Sequence, residues 1–295
     1  MNRNNVTAYF FLAPALTTLL VFFFIPVLAA FVMSFTDFDI YSLGNIKQMR
    51  FVLVDNFKQL FHDPIFWKAL KNTLIFVLIG APLTIALSLF AAIGLNSRLL
   101  HFKTLFRLAL FLPVVTTLVA VAVVWRYLYH PYFGLINYVT VSLGFKTIDW
   151  LGDPNYALIA IVFLAVWKNF GYYMMIFLAG LQSAPDYLYE AAEIDGAGWW
   201  RQFQHVTIPH LAPTTLFVSL MTVIGYLQFF AEPFVMTQGG PLNSTLSVVL
   251  YLYQQGFRWW RMGYASTIAF VLFFIVFFTA LVQLYVQKRK DGNER

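Results

Sequence analysis

The sequence predicts an all-α, polytopic membrane protein with six transmembrane helices in one domain, residues 1–295. Three observations carry that expectation. The chain is 60% hydrophobic and only 11% charged, whereas soluble domains carry about 25% charged residues. Charge-free runs long enough to cross a bilayer recur along it, and a helix needs about 20 apolar residues to do so. The basic residues are scattered and mostly flank those runs, so the net charge of +6 points to anionic lipid headgroups rather than nucleic acid.

The first span, 8–34, lies in a stretch with no charged residue from Asn4 to Thr36. That stretch far exceeds the roughly 7–15 residue apolar core of a cleavable signal, so we read a retained span kinked by Pro14 and Pro26. The second span is 72–96 and the third 107–128. The fourth, 156–182, is apolar apart from Lys168. A polar loop, 183–210, leads into the fifth span, 211–236. The sixth, 263–287, runs into "QKRK". Two further apolar patches, 135–145 and 245–257, are too short to cross and sit beside Gly, Pro and Asn, which marks them as interfacial segments on the outer face. In lipid each span must satisfy its own backbone groups, so each is a helix. No two glycines stand at GxxxG spacing, so close helix contacts are expected from Ala and Ser.

An even number of spans puts both termini on one side. With the N-terminus inside, nine Lys and Arg residues fall on each side, a tie. The basic cluster abutting the last span favours both termini inside, because charges near span ends count most.

Several chemistries are excluded. There is no cysteine, hence no disulfide, no thiolate nucleophile and no thiolate-bound metal. The dipeptide Gly-Lys never occurs, so no P-loop holds a nucleotide. His62, His101, His130, His205 and His210 form no close ligand pair, and no GxSxG elbow appears. No metal, cofactor or catalytic residue is expected. An ion-coupled secondary transporter is the alternative reading, but it needs intramembrane acids. Only Glu232 lies in a span, near its outer end.

The loop 183–210 carries the most information. Ser183-Ala184-Pro185-Asp186 is a helix-start signal. A short helix then contains Glu190-Ala191-Ala192, whose alanines leave a narrow surface that another protein can approach. Gly196 and Gly198 permit a reversal. Trp199, Trp200 and Phe203 offer a second, aromatic turn, and Pro209 is expected to end it. The string Glu190-Ala191-Ala192, then Gly196, then Val206-x-Ile208-Pro209 resembles the "EAA" loop of ABC-importer permeases. "YFFLAPALTTLLVFFFIPVLAAFVMSFTDFD", "TQGGPLNST" and "GYASTIAFVLFFIVFFTALVQLYV" resemble the carbohydrate branch, similar to the maltose and glycerol-3-phosphate permeases, over about 9–287.

That resemblance implies a type I ABC importer permease fold in a bacterial or archaeal cytoplasmic membrane, with no enzymatic activity of its own. It implies a second similar permease subunit, an ATPase dimer, an extracytoplasmic binding protein and a carbohydrate substrate. It also implies that the loop faces the cytoplasm and couples to the ATPase through Glu190, Ala191, Ala192, Asp195, Gly196 and Pro209.

A sugar site should combine aromatic faces with a few polar groups. The fourth span offers Asn169, Tyr172 and Tyr173; the fifth offers Thr222, Tyr226, Gln228 and Phe229. By resemblance, the corresponding stretches of the maltose-type permease line its sugar site. Lys168 is the strong charge inside a span. It either faces a water-filled cavity or pairs with backbone carbonyls, and we read it as structural.

Overall fold

The computed structural model describes residues 3–43, 49–97 and 100–293. Of the basic residues that weigh on orientation, Lys47, Arg98 and Arg295 lie outside the described residues, as do the side chains of Arg3 and of 288–290. Helices dominate, and among the described residues the extended pairing is a lone antiparallel bridge between Thr36 and Phe51.

Among the described residues five helices are long and apolar enough to cross a membrane, and a bent pair makes a sixth when taken as one span. The first begins as α1 (Arg3–Leu19) and continues through a π-helical turn, Leu20–Phe24, into α2 (Ile25–Met33). Pro14 and Pro26 therefore do not stop it. Pro26 offers no N–H to the carbonyl of Phe22, and the wider π turn takes up that lost bond at its own position. After α3 (Asp55–His62) comes α4 (Pro64–Asn96), the second span, which also runs on through Pro82.

The third span departs from expectation. It is two helices, α5 (Lys103–Val115) and α6 (Leu118–Leu128), bent by 99°. Thr116 and Thr117 are both extended at the break, with ψ of 146° and 137°, so the helical ladder cannot bridge them. The short α7 (Leu135–Ser142) follows, then the fourth span, α8 (Ala157–Gln182). The loop contains α9 (Asp186–Ile194), α10 (Trp199–Gln202) and α11 (Ile208–His210). The fifth span is also interrupted, as α12 (Ala212–Leu227) and α13 (Ala231–Met236). α14 (Val248–Tyr253) precedes the last span, α15 (Met262–Asn293).

The chain sorts into two compact units, one of Met1–Trp67 with Tyr251–Ile275 and one of Lys68–Leu250 with Val276–Arg295. The first is pinned by buried polar groups. Asn56 donates from Nδ2 to the Ser34 and Thr36 carbonyls at 3.0 and 2.8 Å, and Thr267 Oγ1 donates to Ser34 O at 3.0 Å.

Asp63 is the other tie. Its Oδ1 accepts from Ile65 N at 2.8 Å and caps α4, with Pro64 in the first helical position as N-termini favour. Its Oδ2 accepts from the Tyr251 and Tyr264 hydroxyls. Burial pushes the carboxyl pKa up, but these bonds outweigh it and hold Asp63 below its ordinary value. Tyr251 moves the other way, raised by burial first and then by the neighbouring carboxylate.

A carboxyl held low stabilises the fold above its unfolded pKa of about 3.9, and that stability is lost as pH falls through the folded value. Asp63→Asn should therefore cost about 1–2 kcal/mol near neutrality, discounted for partial exposure. It should also flatten the loss of thermal stability on acidification below about pH 4. Melting curves of wild type and variant across pH 3–7 check this, and parallel curves would refute it.

In the second unit, α8 packs against α5, α12 and α13. One apolar core joins Ala92 and Leu95 of α4, Met174, Phe177 and Leu178 of α8, and Val218 of α12. The expectation that Ala and Ser alone supply close contacts is corrected here. A Cβ on Gly171 would stand 2.2 Å from the Leu110 carbonyl oxygen, so this single glycine lets α8 meet the backbone of α5 without a GxxxG pair. Small-residue contact needs one glycine at the crossing, not two in register.

Candidate functional site

The loop 183–210 forms as a helical hairpin, with different details from those the sequence suggests. Ser183 closes α8 rather than capping α9: its Oγ donates to Gly180 O at 2.8 Å and lies 3.2 Å from His210 Nε2. α9 starts instead because Pro185 is extended, with ψ of 131°. It ends in a full Schellman motif. Gly196 N donates to Glu193 O at 3.0 Å and Ala197 N to Ala192 O at 2.9 Å, with Gly196 at φ +73°. That left-handed backbone is the position where glycine is needed.

The return limb is α10, a π-helical turn Phe203–Thr207, and α11. Pro209 does not end it. The π turn precedes it, Pro209 takes an early helical position, and the chain passes through Leu211 into α12. The limbs are joined by the Tyr189 hydroxyl and Thr207 Oγ1 at 3.1 Å, and by Gln202 Nε2 donating to Ala197 O at 3.1 Å. Glu190, Ala191, Asp195, Gly196 and Pro209 are exposed, Ala192 is half-buried, and Ile194 is 87% exposed.

The candidate sugar-site residues divide. Thr222, Tyr226 and Phe229 are buried, and Tyr226 and Phe229 face α4. The Tyr226 hydroxyl meets Thr84 Oγ1 at 2.8 Å, Phe229 stacks on Phe76 at 3.8 Å, and Thr222 Oγ1 donates to Val218 O at 2.7 Å. Tyr226 and Phe229 are only 5% and 4% exposed, so in this conformation neither offers a ring face to a ligand. α12 stops at Leu227, so Phe229 leaves the helical spacing that the sequence suggests. Asn169 is half-buried, donates to Ala165 O at 2.8 Å and interacts with Tyr226, while Tyr173 interacts with Thr222. Tyr172 and Gln228 are exposed, and the Tyr172 and Tyr173 rings meet edge to face at 5.2 Å. Nearby, Trp125, Trp150, Phe163, Trp167 and Phe170 line a cavity of about 470 Å³.

Lys168 joins two of the interrupted spans. Its Nζ donates to the carbonyls of Pro113, Val114 and Thr116 at 3.2, 3.4 and 3.1 Å. Those are the carbonyls that the break after α5 strips of helical partners. The same ammonium interacts with the Glu232 carboxylate on α13. Non-helical backbone at membrane depth persists only where such partners satisfy it. The structural reading of Lys168 is thus what the geometry supports. Thr84 and Phe76, which hold the fifth-span residues, were not legible as partners, and the uncommon Thr in an apolar run was their only signal. Among the described residues no group of His, Asp and Glu is placed to hold a metal ion.

Residues 84–292 match the family described as binding-protein-dependent transport system inner membrane component. The chain is 35% identical to a lactose transport system permease protein of Rhizobium radiobacter, covering 97% of this chain and 95% of that one. It is 36% identical to an arabinooligosaccharides transport system permease protein of Bacillus subtilis, covering 98% and 91%. Its fold superposes with a TM-score of 0.82 on a chain of a bacterial ABC transporter involved in import of the acidic polysaccharide alginate. The two are 22% identical, and 97% and 96% of them are covered.

Proposed function

Because the chain belongs to the family of binding-protein-dependent transport system inner membrane components, we propose that it forms half of the translocation path of an ATP-driven carbohydrate importer. Its partners are a second permease subunit, an ATPase dimer and an extracytoplasmic binding protein. Both termini and the hairpin 183–210 face the cytoplasm, and the hairpin docks α9 into the ATPase. The observation that carries this reading is the hairpin itself, a turn at Gly196 with Glu190, Ala191, Asp195 and Ile194 exposed and Ala192 half-buried. The carbohydrate part is supported by relatives named for lactose and arabinooligosaccharides transport.

Exposure supports a choice among the candidate substrate contacts. Tyr172 and Gln228 present surface, with Asn169 and Tyr173 partly accessible behind them. Tyr172→Ala should lower uptake about 5- to 10-fold, from about 1–1.5 kcal/mol of lost ring contact. Tyr226→Ala should instead reduce the stability of the assembled complex, by about 3–5 kcal/mol for a buried aromatic. Uptake, basal ATP hydrolysis and melting temperature on one preparation test both. Wild-type uptake with Tyr172→Ala would remove that residue from the site. Loss of assembly without ATP-dependent uptake in any reconstitution would remove the importer reading.

A further inference from the structure

The two limbs of the hairpin differ in chemistry. We propose that the return limb, residues 199–210, seats on the membrane surface and binds anionic phospholipid headgroups, leaving α9 alone to face the ATPase. The proposal rests on the cytoplasmic reading of 183–210.

Charge segregates along the loop. Asp186, Glu190, Glu193 and Asp195 lie on α9 and its turn, and no Lys or Arg occurs from 169 to 200. From 197 to 231 there is no Asp or Glu, and Arg201, His205 and His210 fall on the return limb. An anionic surface repels the first limb and attracts the second, by roughly fivefold in affinity per basic residue.

The aromatic residues agree. Trp199 and Trp200 are 65% and 58% exposed. Trp199 lies parallel to Phe203 at 5.5 Å, and Trp200 is 5.6 Å from the same ring, so the three form one slab. Their level is fixed by a cleft of about 280 Å³. In it Trp199 and Phe203 face Asn96 and Ser97 at the end of the second span and Leu181 at the end of the fourth. Those are the points where the spans leave the hydrocarbon, and tryptophan is enriched at that depth. A basic, Trp-rich helical turn held there is built for an interface.

The chain contains no cysteine, so single thiols report cleanly. In the complete transporter, reconstituted in vesicles of neutral lipid with or without 30% anionic lipid, an environment-sensitive fluorophore is placed on Gln204→Cys, which lies one turn from Trp200. We expect quenching by lipids brominated on the acyl chain, growing with the anionic fraction and lost in a Trp199→Ala/Trp200→Ala background. Arg201→Glu should abolish the dependence on anionic lipid. In parallel, Glu193→Cys should react several-fold more slowly with a water-soluble maleimide when the ATPase is bound. Absence of quenching at 204, or shielding of 204 by the ATPase as at 193, overturns the lipid seat while leaving the coupling reading intact. Quenching at 204 with 193 unshielded supports the seat and sinks the coupling reading instead.

Discussion

Replacement of Lys168 by methionine is expected to abolish stable assembly of the transporter. Methionine fills a similar volume but donates nothing, so the carbonyls of Pro113, Val114 and Thr116 lose their shared donor. Pro113 O keeps its bond from Thr116 Oγ1 at 2.7 Å, so the loss falls on the Val114 and Thr116 carbonyls, and a polar group left unsatisfied costs about 1–3 kcal/mol. A total of several kcal/mol rivals the whole stability of many domains, about 5–15 kcal/mol. Lys168→Arg keeps the charge and donors and should retain most of the protein, with some strain from the larger head. Lys168→Met/Glu232→Gln isolates any contribution of the Glu232 carboxyl and should leave the loss due to the carbonyls in place. The checks are the yield of folded complex and the melting temperature of all three variants. A Lys168→Met complex as stable as wild type would show that the break in the third span is held by something else.

Much of the architecture was legible because span length and charge-free composition are set by the bilayer, which is indifferent to packing detail. The six crossings and the loop at 183–210 follow from that constraint. The break in the third span was not legible, because hydropathy is blind to ψ and "FLPVVTTLVAVAVV" reads as one apolar run. Its signature lies instead 52 to 55 residues away, in the charged side chain that the fourth span carries toward those carbonyls. The packing of the fifth-span candidates was half legible for a related reason. Spacing puts Thr222 and Tyr226 on one face of α12, but it does not say whether that face meets α4 or the path. The Thr84 hydroxyl decides that, and a threonine in a span reads from sequence as an ordinary polar interruption. In the hairpin, local rules sufficed at the turn, where Gly196 has the backbone conformation glycine suits, and failed at Ser183 and Pro209, where neighbouring helices took over the capping and the continuation.

Gly196→Val is expected to uncouple transport while leaving insertion and assembly of the membrane part intact. No atom stands within 4 Å of a Cβ built at this position, so the substitution meets no steric neighbour and its whole effect acts through the backbone. At φ +73° an L residue pays about 1–2 kcal/mol, and a β-branched one more. The cheapest relief is to open the Schellman turn, which releases the Gly196 and Ala197 amide bonds and swings α9 away from the return limb. If the turn opens in this way, uptake should fall about tenfold or more, by the usual conversion of 1.4 kcal/mol per decade. Gly196→Asn is the matched control, because asparagine visits the left-handed region with little strain, and it should transport within about twofold of wild type. Glu190→Lys tests the same surface by charge instead of shape: the residue is exposed and has no partner to lose in the hydrogen-bond network around the turn, so a defect there reports on the docking partner. The measurements are ATP-dependent uptake, ATP hydrolysis with and without the substrate-loaded binding protein, and co-purification of the ATPase. Loss of uptake in valine but not asparagine, with the membrane part still folded, identifies the turn as the element that carries the stroke. If the valine and lysine changes combined transported like wild type, the hairpin would be a solvated loop and the coupling surface would have to lie elsewhere.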